Sequence, residues 1–178
     1  MNMRITLEHT AAVAIDYQEK LIPAMDKKEQ LMEHSMILLA GLSTLGVPIT
    51  VTQQYTKGLG MTDSSLQKVI GTEAYKEKIT FSAMEVIREE IQDKKYILLC
   101  GIEAHICVLQ TLIDLKKEGF IPVLVVDCIS SRTAYDKEMA IERAKQEGAI
   151  ITTYEAILFE LLKAAGTETS KKIQRLVK

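Results

Sequence analysis

The stretch from Tyr96 to Leu115 constrains the fold of this chain more than any other. It begins as a continuous apolar run, Tyr96–Cys100, which is typical of a strand buried on both faces. Gly101 interrupts the run, and apolar residues then recur at helical spacing from 104 until Gly119. The sequence therefore predicts a strand, a tight turn and a helix, with Cys107 in the first helical turn.

Cys107 is the candidate nucleophile of this unit. At the start of a helix, unpaired backbone N–H groups and the positive end of the helix dipole favour an anion. A thiol in that position is expected to have a lowered pKa and to ionise more easily than a free one. The alternative is an inert core residue, because free cysteines are among the most buried residue types.

Four further strand patterns alternate with helical patterns along the chain. The strands are predicted at 11–15, 47–52, 121–126 and 149–152, and the other helices at 27–45, 82–92, 136–146, 155–165 and 169–177. Ser82, with Glu85 three residues later, predicts a capping box for the second of these helices. The segment 57–72 lacks periodicity and is predicted to be a long surface loop.

Alternating strands and helices favour parallel βαβ units with right-handed crossovers. We therefore expect an α/β fold with three layers (α/β/α) and a mostly parallel central sheet, a Rossmann-like arrangement. A chain of 178 residues is long enough for one domain with a sizeable core, so residues 1–178 are expected to form a single domain.

Polar residues follow several of the predicted strands directly: Asp16, Gln53, Cys107 and Asp127. In parallel sheets ligands bind beyond the carboxyl ends of the strands, so these side chains should share one edge. Asp16 is the candidate base for the thiol proton, with a capping role as the alternative. Lys78 is the candidate cation, because it precedes an apolar stretch, and an ordinary surface lysine is its alternative. Asp127 is expected to support the site or to cap a helix.

His105 lies two positions before Cys107 and faces away from it if both are helical. We therefore consider His105 as a substrate contact and not as the base. The three histidines lie in unrelated contexts and no spacing of metal ligands repeats, so a metal site is not expected. Gly58-Leu59-Gly60 is not a phosphate loop, because it follows no strand directly and opens no helix.

Composition argues against several classes of function. The 22 basic and 24 acidic residues give a formal net charge of −2 without a long run of either sign, so a nucleic-acid partner is not expected. No apolar stretch approaches the roughly 20 residues that span a bilayer, and the N-terminus lacks a signal-peptide pattern. The 3 cysteines include no CxxC pair, which suits a reducing compartment. We expect a cytoplasmic protein that does not associate with membranes.

The segment Cys100–Thr111 resembles the nucleophile motif of the isochorismatase-like cysteine hydrolases, which include nicotinamidases and N-carbamoylsarcosine amidases. Ala14–Gln18 is similar to the Asp-bearing first strand of that superfamily, and Lys78–Ala83 to its lysine segment. The likeness extends from about residue 9 to residue 162. Gln53–Gly60 and Ile151–Phe159 look most similar to small isochorismatase-domain proteins of poorly defined substrate.

The resemblance implies a triad of Asp16, Lys78 and Cys107. By analogy, Asp16 takes the thiol proton, Lys78 holds the resulting charges, and Cys107 attacks a carbonyl carbon to form a covalent acyl-enzyme. The resemblance also implies a cis peptide bond between Ile102 and Glu103. That bond would turn the N–H of Glu103 to join that of Cys107 as an oxyanion hole.

One departure from the superfamily bears on the substrate. Its nicotinamidases carry Asp and His metal ligands after the second strand, whereas this chain has Gln53, Gln54 and Tyr55 there. The resemblance therefore implies no catalytic metal and no other cofactor, and it argues against nicotinamide as the substrate. Gln53, Tyr55 and His105 are candidate substrate contacts. Relatives are commonly oligomeric, so a homo-oligomer, at least a dimer, is expected.

The leading hypothesis is a metal-independent cysteine hydrolase that cleaves a C–N bond in a small amide. One alternative is a non-catalytic member that binds a small ligand or a protein partner. A second is an isochorismatase-type hydrolase, which acts on a vinyl ether without using the cysteine. A third, a redox-sensing thiol, is weaker because Cys100 lies at the end of a buried strand and no other resolving cysteine is near in sequence.

Overall fold

The alternating patterns form a six-stranded sheet in the computed structural model, which describes residues 4–178. The strands are β1 (Thr10–Ile15), β2 (Ile49–Gln54), β3 (Lys76–Lys78), β4 (Tyr96–Ile102), β5 (Ile121–Ser130) and β6 (Ile150–Thr152). Neighbouring strands pair in parallel in the order β3-β2-β1-β4-β5-β6. With helices on both faces, the sheet confirms the predicted three-layer α/β/α fold.

The helices divide into two groups that cover opposite faces of the sheet. They are α1 (Lys28–Leu45), α2 (Thr56–Leu59), α3 (Ser64–Ile70), α4 (Met84–Ile91), α5 (Leu109–Lys117), α6 (Ala134–Gln146), α7 (Tyr154–Leu162) and α8 (Glu168–Leu176). One core contains residues of α1, α3, α7 and α8, and the other contains residues of α4, α5 and α6. Among residues 4–178, no helix is long and apolar enough to cross a bilayer.

The apolar run of β1 shows why the sheet is buried on both sides. Ala12 and Ala14 belong to the core under α1, whereas Ala11, Val13 and Ile15 belong to the core under α4 and α5. Successive side chains of a strand point to opposite faces, so a strand without polar residues fills two cores at once.

The segment 57–72, predicted as a loop, contains two short helices. α2 has 4 residues and α3 has 7, which is too short for a helical period to stand out in the sequence. The local signals lie at the ends of α3 instead. The Asp63 carboxylate accepts a hydrogen bond from Ser65 N at 2.9 Å, and Gly71 ends the helix in a left-handed conformation.

The predicted capping box of α4 is wrong. The helix begins at Met84, two residues later than predicted. Its N-cap is Ala83, whose side chain makes no capping hydrogen bond. Ser82 Oγ accepts only a long hydrogen bond, 3.3 Å, from Met84 N. The N–H of Ala83 binds the hydroxyl of Thr111 on α5 instead, at 2.9 Å, so a tertiary contact replaces the local cap.

β5 is longer than its pattern indicates and runs to Ser130. Its pairing with β4 shifts between Leu99 and Gly101, so β5 contains an irregular stretch around Asp127. Asp127 therefore lies within the strand, and its Oδ1 accepts a hydrogen bond from Tyr154 N at 2.9 Å. This contact caps the start of α7. Of the two roles expected for Asp127, the structure therefore shows the capping role.

The direction in which strands are added to the sheet reverses between β1 and β4. The chain adds β2 and β3 on one side of β1, and then β4, β5 and β6 on the other. In such sheets the carboxyl ends of the two strands at the reversal border the ligand-binding crevice. Ile15 pairs with Gly101 at this point, so Asp16 and the turn after β4 both lie where the order reverses.

We expect Gly101→Ala to destabilise the protein by about 3–5 kcal/mol, because it combines backbone strain with overpacking. Gly101 has φ 149°, and an added Cβ would lie 2.4 Å from the carbonyl oxygen of Ile15. Gly119→Ala is the matched control: its φ is 89°, but nothing lies within 4 Å of an added Cβ. The control should lose only about 1–2 kcal/mol. Equal losses of unfolding free energy for the two variants, measured by urea unfolding, would contradict the close approach of Gly101 to Ile15.

Candidate active site

Asp16 is buried at the carboxyl end of β1 and has its carboxylate held on both oxygens. Its Oδ1 accepts a hydrogen bond from Thr52 Oγ1 at 2.8 Å, and its Oδ2 lies 2.8 Å from Lys78 Nζ. Both side chains of the ion pair are 0% exposed. Apart from this pair, Oδ2 has no hydrogen-bond partner among residues 4–178. A buried carboxylate with one free lone-pair direction can accept a further proton.

Lys78, the last residue of β3, is fixed by more than its ion pair. Its ammonium group donates to Gln54 Oε1 at 2.7 Å, to the Phe81 carbonyl at 2.9 Å and to the Thr80 carbonyl at 3.3 Å. These acceptors offset the desolvation of a buried cation, which would otherwise cost several kcal/mol. The alternative of a solvated surface lysine is wrong.

Cys107 lies in a π-helical turn, Ala104–Val108, that connects β4 to α5. The residue is 5% exposed and packs in the core under α4, α5 and α6. Thr111 donates a hydrogen bond to the Cys107 carbonyl at 2.7 Å while it accepts one from Ala83 N at 2.9 Å. This hydroxyl ties the nucleophile turn to the start of α4.

Asp16 and Lys78 form an ion pair, and the charges of both act on the thiol of Cys107. Burial, as the largest cause, and the negative charge of the Asp16 carboxylate, as the second, raise the pKa of the Cys107 thiol to about 12. Lys78 opposes this shift, and Glu103 adds to it. The expected lowering of the thiol pKa at a helix start is therefore wrong, because a buried sulfur beside a carboxylate is more stable as a neutral thiol.

The predicted cis peptide bond between Ile102 and Glu103 is also wrong. All peptide bonds of residues 4–178 are trans. The chain turns instead through positive φ angles at Gly101, 149°, and at Glu103, 55°. Without the cis bond, the predicted reason for the N–H of Glu103 to join the oxyanion hole no longer holds. The N–H of Cys107 remains the candidate donor, because it lies in the first turn of a helix.

Gln53 and Tyr55 lie at the carboxyl end of β2. Gln53 is buried, and its side chain donates to Thr62 Oγ1 at 2.8 Å and accepts from Thr56 Oγ1 at 3.0 Å. It therefore anchors the segment that carries α2. Tyr55 is 50% exposed and has a left-handed backbone at the start of α2. A contact of either residue with substrate stays a prediction.

A second polar group, formed by Glu103, His105, Ser131 and Arg132, borders the nucleophile turn. Glu103 Oε1 lies 3.2 Å from Arg132 Nε, and His105 Nδ1 lies 2.9 Å from Ser131 Oγ. The histidine is therefore held by Ser131 of the segment after β5. A contact of His105 with substrate also stays a prediction.

Sequence reasoning missed three side chains that position the triad: Thr52, Gln54 and Thr111. Thr52 and Gln54 were visible as polar residues at the end of a buried strand, but only the pairing of β2 with β1 and β3 shows which group each one holds. Thr111 looks like an ordinary residue of an amphipathic helix. No three His, Cys, Asp or Glu side chains within residues 4–178 converge as metal ligands. The absence of a cofactor stays a prediction.

We expect the two charges beside Cys107 to shift its pKa in opposite directions. Asp16→Asn removes the carboxylate that raises the pKa, so the pH profile of alkylation should move to lower pH. Lys78→Met removes the cation that lowers the pKa, so the profile should move to higher pH. In the wild type, the rate should still rise above pH 10, since the thiol pKa is about 12. The measurement is iodoacetamide labelling, resolved by peptide mass spectrometry. A wild-type plateau at a free-thiol pKa of about 8.5 would contradict it.

The same pair should dominate the local stability. Removing either partner leaves a buried charge uncompensated, which costs about 3–5 kcal/mol, whereas the double variant Asp16→Asn/Lys78→Met should cost less than the sum of the two. The half-exposed pair Arg88–Glu118, 2.6 Å apart, is the control. Arg88→Met should cost at most about 1 kcal/mol in urea unfolding. Additive losses for the buried pair would show that its two charges do not depend on each other.

Comparisons with known proteins agree with this fold. The family model described as "Isochorismatase domain" matches residues 10–156. The secreted isochorismatase effector Isc1 of Phytophthora sojae is 39% identical over 150 residues, which cover 79% of this chain and 71% of that protein. Isochorismatase domain-containing protein 2A of Mus musculus is 33% identical over 180 residues, or 98% of this chain and 85% of that protein.

Two solved structures superpose over nearly the whole chain. The MAR1 ribonuclease of Caenorhabditis elegans has a TM-score of 0.92 and 33% identity, and the match covers 98% of this chain and 92% of that one. YcaC of Pseudomonas aeruginosa has a TM-score of 0.91, 17% identity and a cover of 99% and 92%, which shows a shared fold. With a family model that spans most of its length and relatives above 30% identity, the chain belongs to the isochorismatase family of hydrolase-fold proteins.

Proposed function

We propose that this protein is a metal-independent cysteine hydrolase that cleaves a C–N bond in a small amide. The observation that carries the proposal is the buried Asp16–Lys78 ion pair, 2.8 Å long, whose carboxylate also interacts with the thiol of Cys107. A nucleophile, a base and an orienting cation are the parts that covalent hydrolysis requires. Asp16 and Lys78 lie at the ends of β1 and β3, and Cys107 lies in the turn after β4, which supports the proposal.

The neutral thiol determines how the first step runs. As the sulfur of Cys107 forms a bond to the carbonyl carbon, its proton moves to Asp16, and the negative charge passes to the carbonyl oxygen. The N–H of Cys107 donates to that oxygen. Base-assisted attack of this kind needs no preformed thiolate, which agrees with a thiol pKa of about 12 in the free protein.

The second half of the proposed reaction releases the amine, hydrolyses the thioester and returns the proton to the sulfur. The C–N bond breaks, the amine leaves with the proton from Asp16, and a thioester to Cys107 remains. Water then attacks the thioester carbon while Asp16 accepts the water proton, and that proton passes to the departing sulfur to regenerate the thiol. Lys78 stays charged throughout, since its other three contacts hold it beside whichever group is negative.

Several broader expectations accompany this proposal. The substrate is a small molecule, the protein is a homo-oligomer and the location is cytoplasmic, although the relative Isc1 is named a secreted effector. One structural relative is named a ribonuclease. For this chain we do not propose RNA as substrate, because the net charge is −2 and the triad side chains are almost fully buried.

We expect Cys107→Ala to lower amide turnover by at least about 10³-fold, because no other group replaces the nucleophile. The measurement compares wild type with the variant on nicotinamide, carbamoyl compounds, isochorismate and a short RNA. Hydroxylamine added during turnover should trap the acyl-enzyme as a hydroxamate. Cys100→Ala is the matched control, since Cys100 lies in the core on the opposite face of the sheet.

The alternatives give distinct results in the same panel. Turnover of isochorismate that survives Cys107→Ala would indicate vinyl ether hydrolysis without the thiol. RNA cleavage as the sole activity would replace the amide proposal. A chain that binds a panel compound but turns none of them over would be the non-catalytic binder.

A further inference from the structure

One buried polar atom near the turn that carries Cys107 has no role in the proposed mechanism. Glu103 opens the π-helical turn that carries Cys107, and its side chain is 11% exposed. Oε1 is paired with Arg132 Nε at 3.2 Å. Oε2 is buried and has no hydrogen-bond partner among residues 4–178.

The neighbours of Glu103 do not satisfy this oxygen. His105 Nδ1 lies 3.9 Å from Oε2, beyond hydrogen-bond distance, and is already bonded to Ser131 Oγ at 2.9 Å. Arg132 reaches only the other oxygen and is 57% exposed, so it does not enclose the carboxylate. Buried polar atoms nearly always have a partner, and an orphan calls for a ligand or water that supplies a donor.

Glu103 directly precedes the turn Ala104–Val108 that carries Cys107. The charge of Glu103 contributes to the raised pKa of the Cys107 thiol, which places the carboxylate within electrostatic range of the sulfur. The carbonyl of Glu103 accepts a hydrogen bond from Ile106 N at 2.8 Å, so the residue is rigidly attached to the nucleophile turn. Its left-handed backbone, φ 55°, is a further sign that the residue is held in place by its surroundings.

We propose that Oε2 of Glu103 accepts an N–H hydrogen bond from the substrate at Cys107, so that the site selects neutral amides, ureas or carbamoyl groups that carry an N–H. The inference rests on the proposed function of the same site, and it assigns a substrate-binding role to a side chain expected to contribute only its backbone.

The charges around the site favour this class over anionic substrates. The nearby cations, Lys78 and Arg132, are each already paired with a carboxylate, Asp16 and Glu103. A substrate carboxylate would therefore approach two negative groups without an uncommitted cation among these four residues. A neutral N–H donor meets the opposite situation, because Oε2 gains the partner that it lacks.

Alkylating reagents of matched shape test the inference without knowledge of the natural substrate. The probes are iodoacetamide, which has N–H groups, its N,N-dimethyl derivative, which has none, and iodoacetate, which is anionic. In each case the thiol of Cys107 loses its proton to the buffer, the sulfur bonds to the CH₂ carbon, and iodide leaves. Rates at Cys107 are measured by peptide mass spectrometry and divided by the rate with glutathione.

We expect the wild type to prefer iodoacetamide over both other probes. Glu103→Ala should lower the preference over the dimethyl reagent by about tenfold, the effect of one hydrogen bond to a charged group. Glu103→Gln keeps the shape and removes the charge, so iodoacetate should gain about tenfold relative to iodoacetamide. Ratios are used because loss of the carboxylate lowers the thiol pKa and raises all three rates together.

Glu118→Gln is the matched control, since Glu118 is also paired with an arginine, Arg88 at 2.6 Å, but follows the far end of α5. Its ratios should equal those of the wild type. Ratios that do not change in Glu103→Ala or Glu103→Gln, or a Cys107 that none of the probes modifies, would overturn the inference. Selective labelling without any amide turnover would leave the role of Glu103 intact and refute the hydrolase proposal alone.

Discussion

The buried ion pair between Asp16 and Lys78 is the interaction on which the rest of the site depends. Two charges held 2.8 Å apart without solvent are tolerable only when the remaining polar atoms of both groups are satisfied. Thr52, Gln54 and two backbone carbonyls after β3 do this. The pair therefore needs β1, β2 and β3 in register, so the edge strand β3, only 3 residues long, is as important to the chemistry as the central strands.

The pair also explains the state of the nucleophile. A sulfur at the start of a helix is often treated as a thiolate, but here burial and the Asp16 carboxylate outweigh the backbone amides and the Lys78 charge. The thiol of the free protein is therefore neutral, and in the proposed mechanism Asp16 accepts its proton.

Two carboxylates flank the thiol, and they differ in their partners. Asp16 is enclosed with its cation in the core, whereas Glu103 is paired with a half-exposed arginine and has one oxygen unsatisfied. The first environment suits a base that must hold and release one proton, and the second suits an acceptor that waits for an external donor. The same functional group, a carboxylate, can therefore serve two purposes at one edge of the sheet, and the surroundings of each carboxylate decide which.

The sequence by itself determined the parallel α/β architecture and the chemistry-bearing residues at the strand ends. Both rest on local patterns, since continuous apolar runs and helical spacing need no tertiary information, and the Asp, Lys and Cys motifs stand in recognisable order. Tertiary structure alone decided the pKa of Cys107, the trans bond before Glu103 and the partners of Gln53, because burial and contacts across strands have no signature in a local window. The short helix α2 and the supporting roles of Thr52 and Thr111 were also not predictable from the sequence. They depend on contacts between segments that are distant in the chain and meet only in the folded protein.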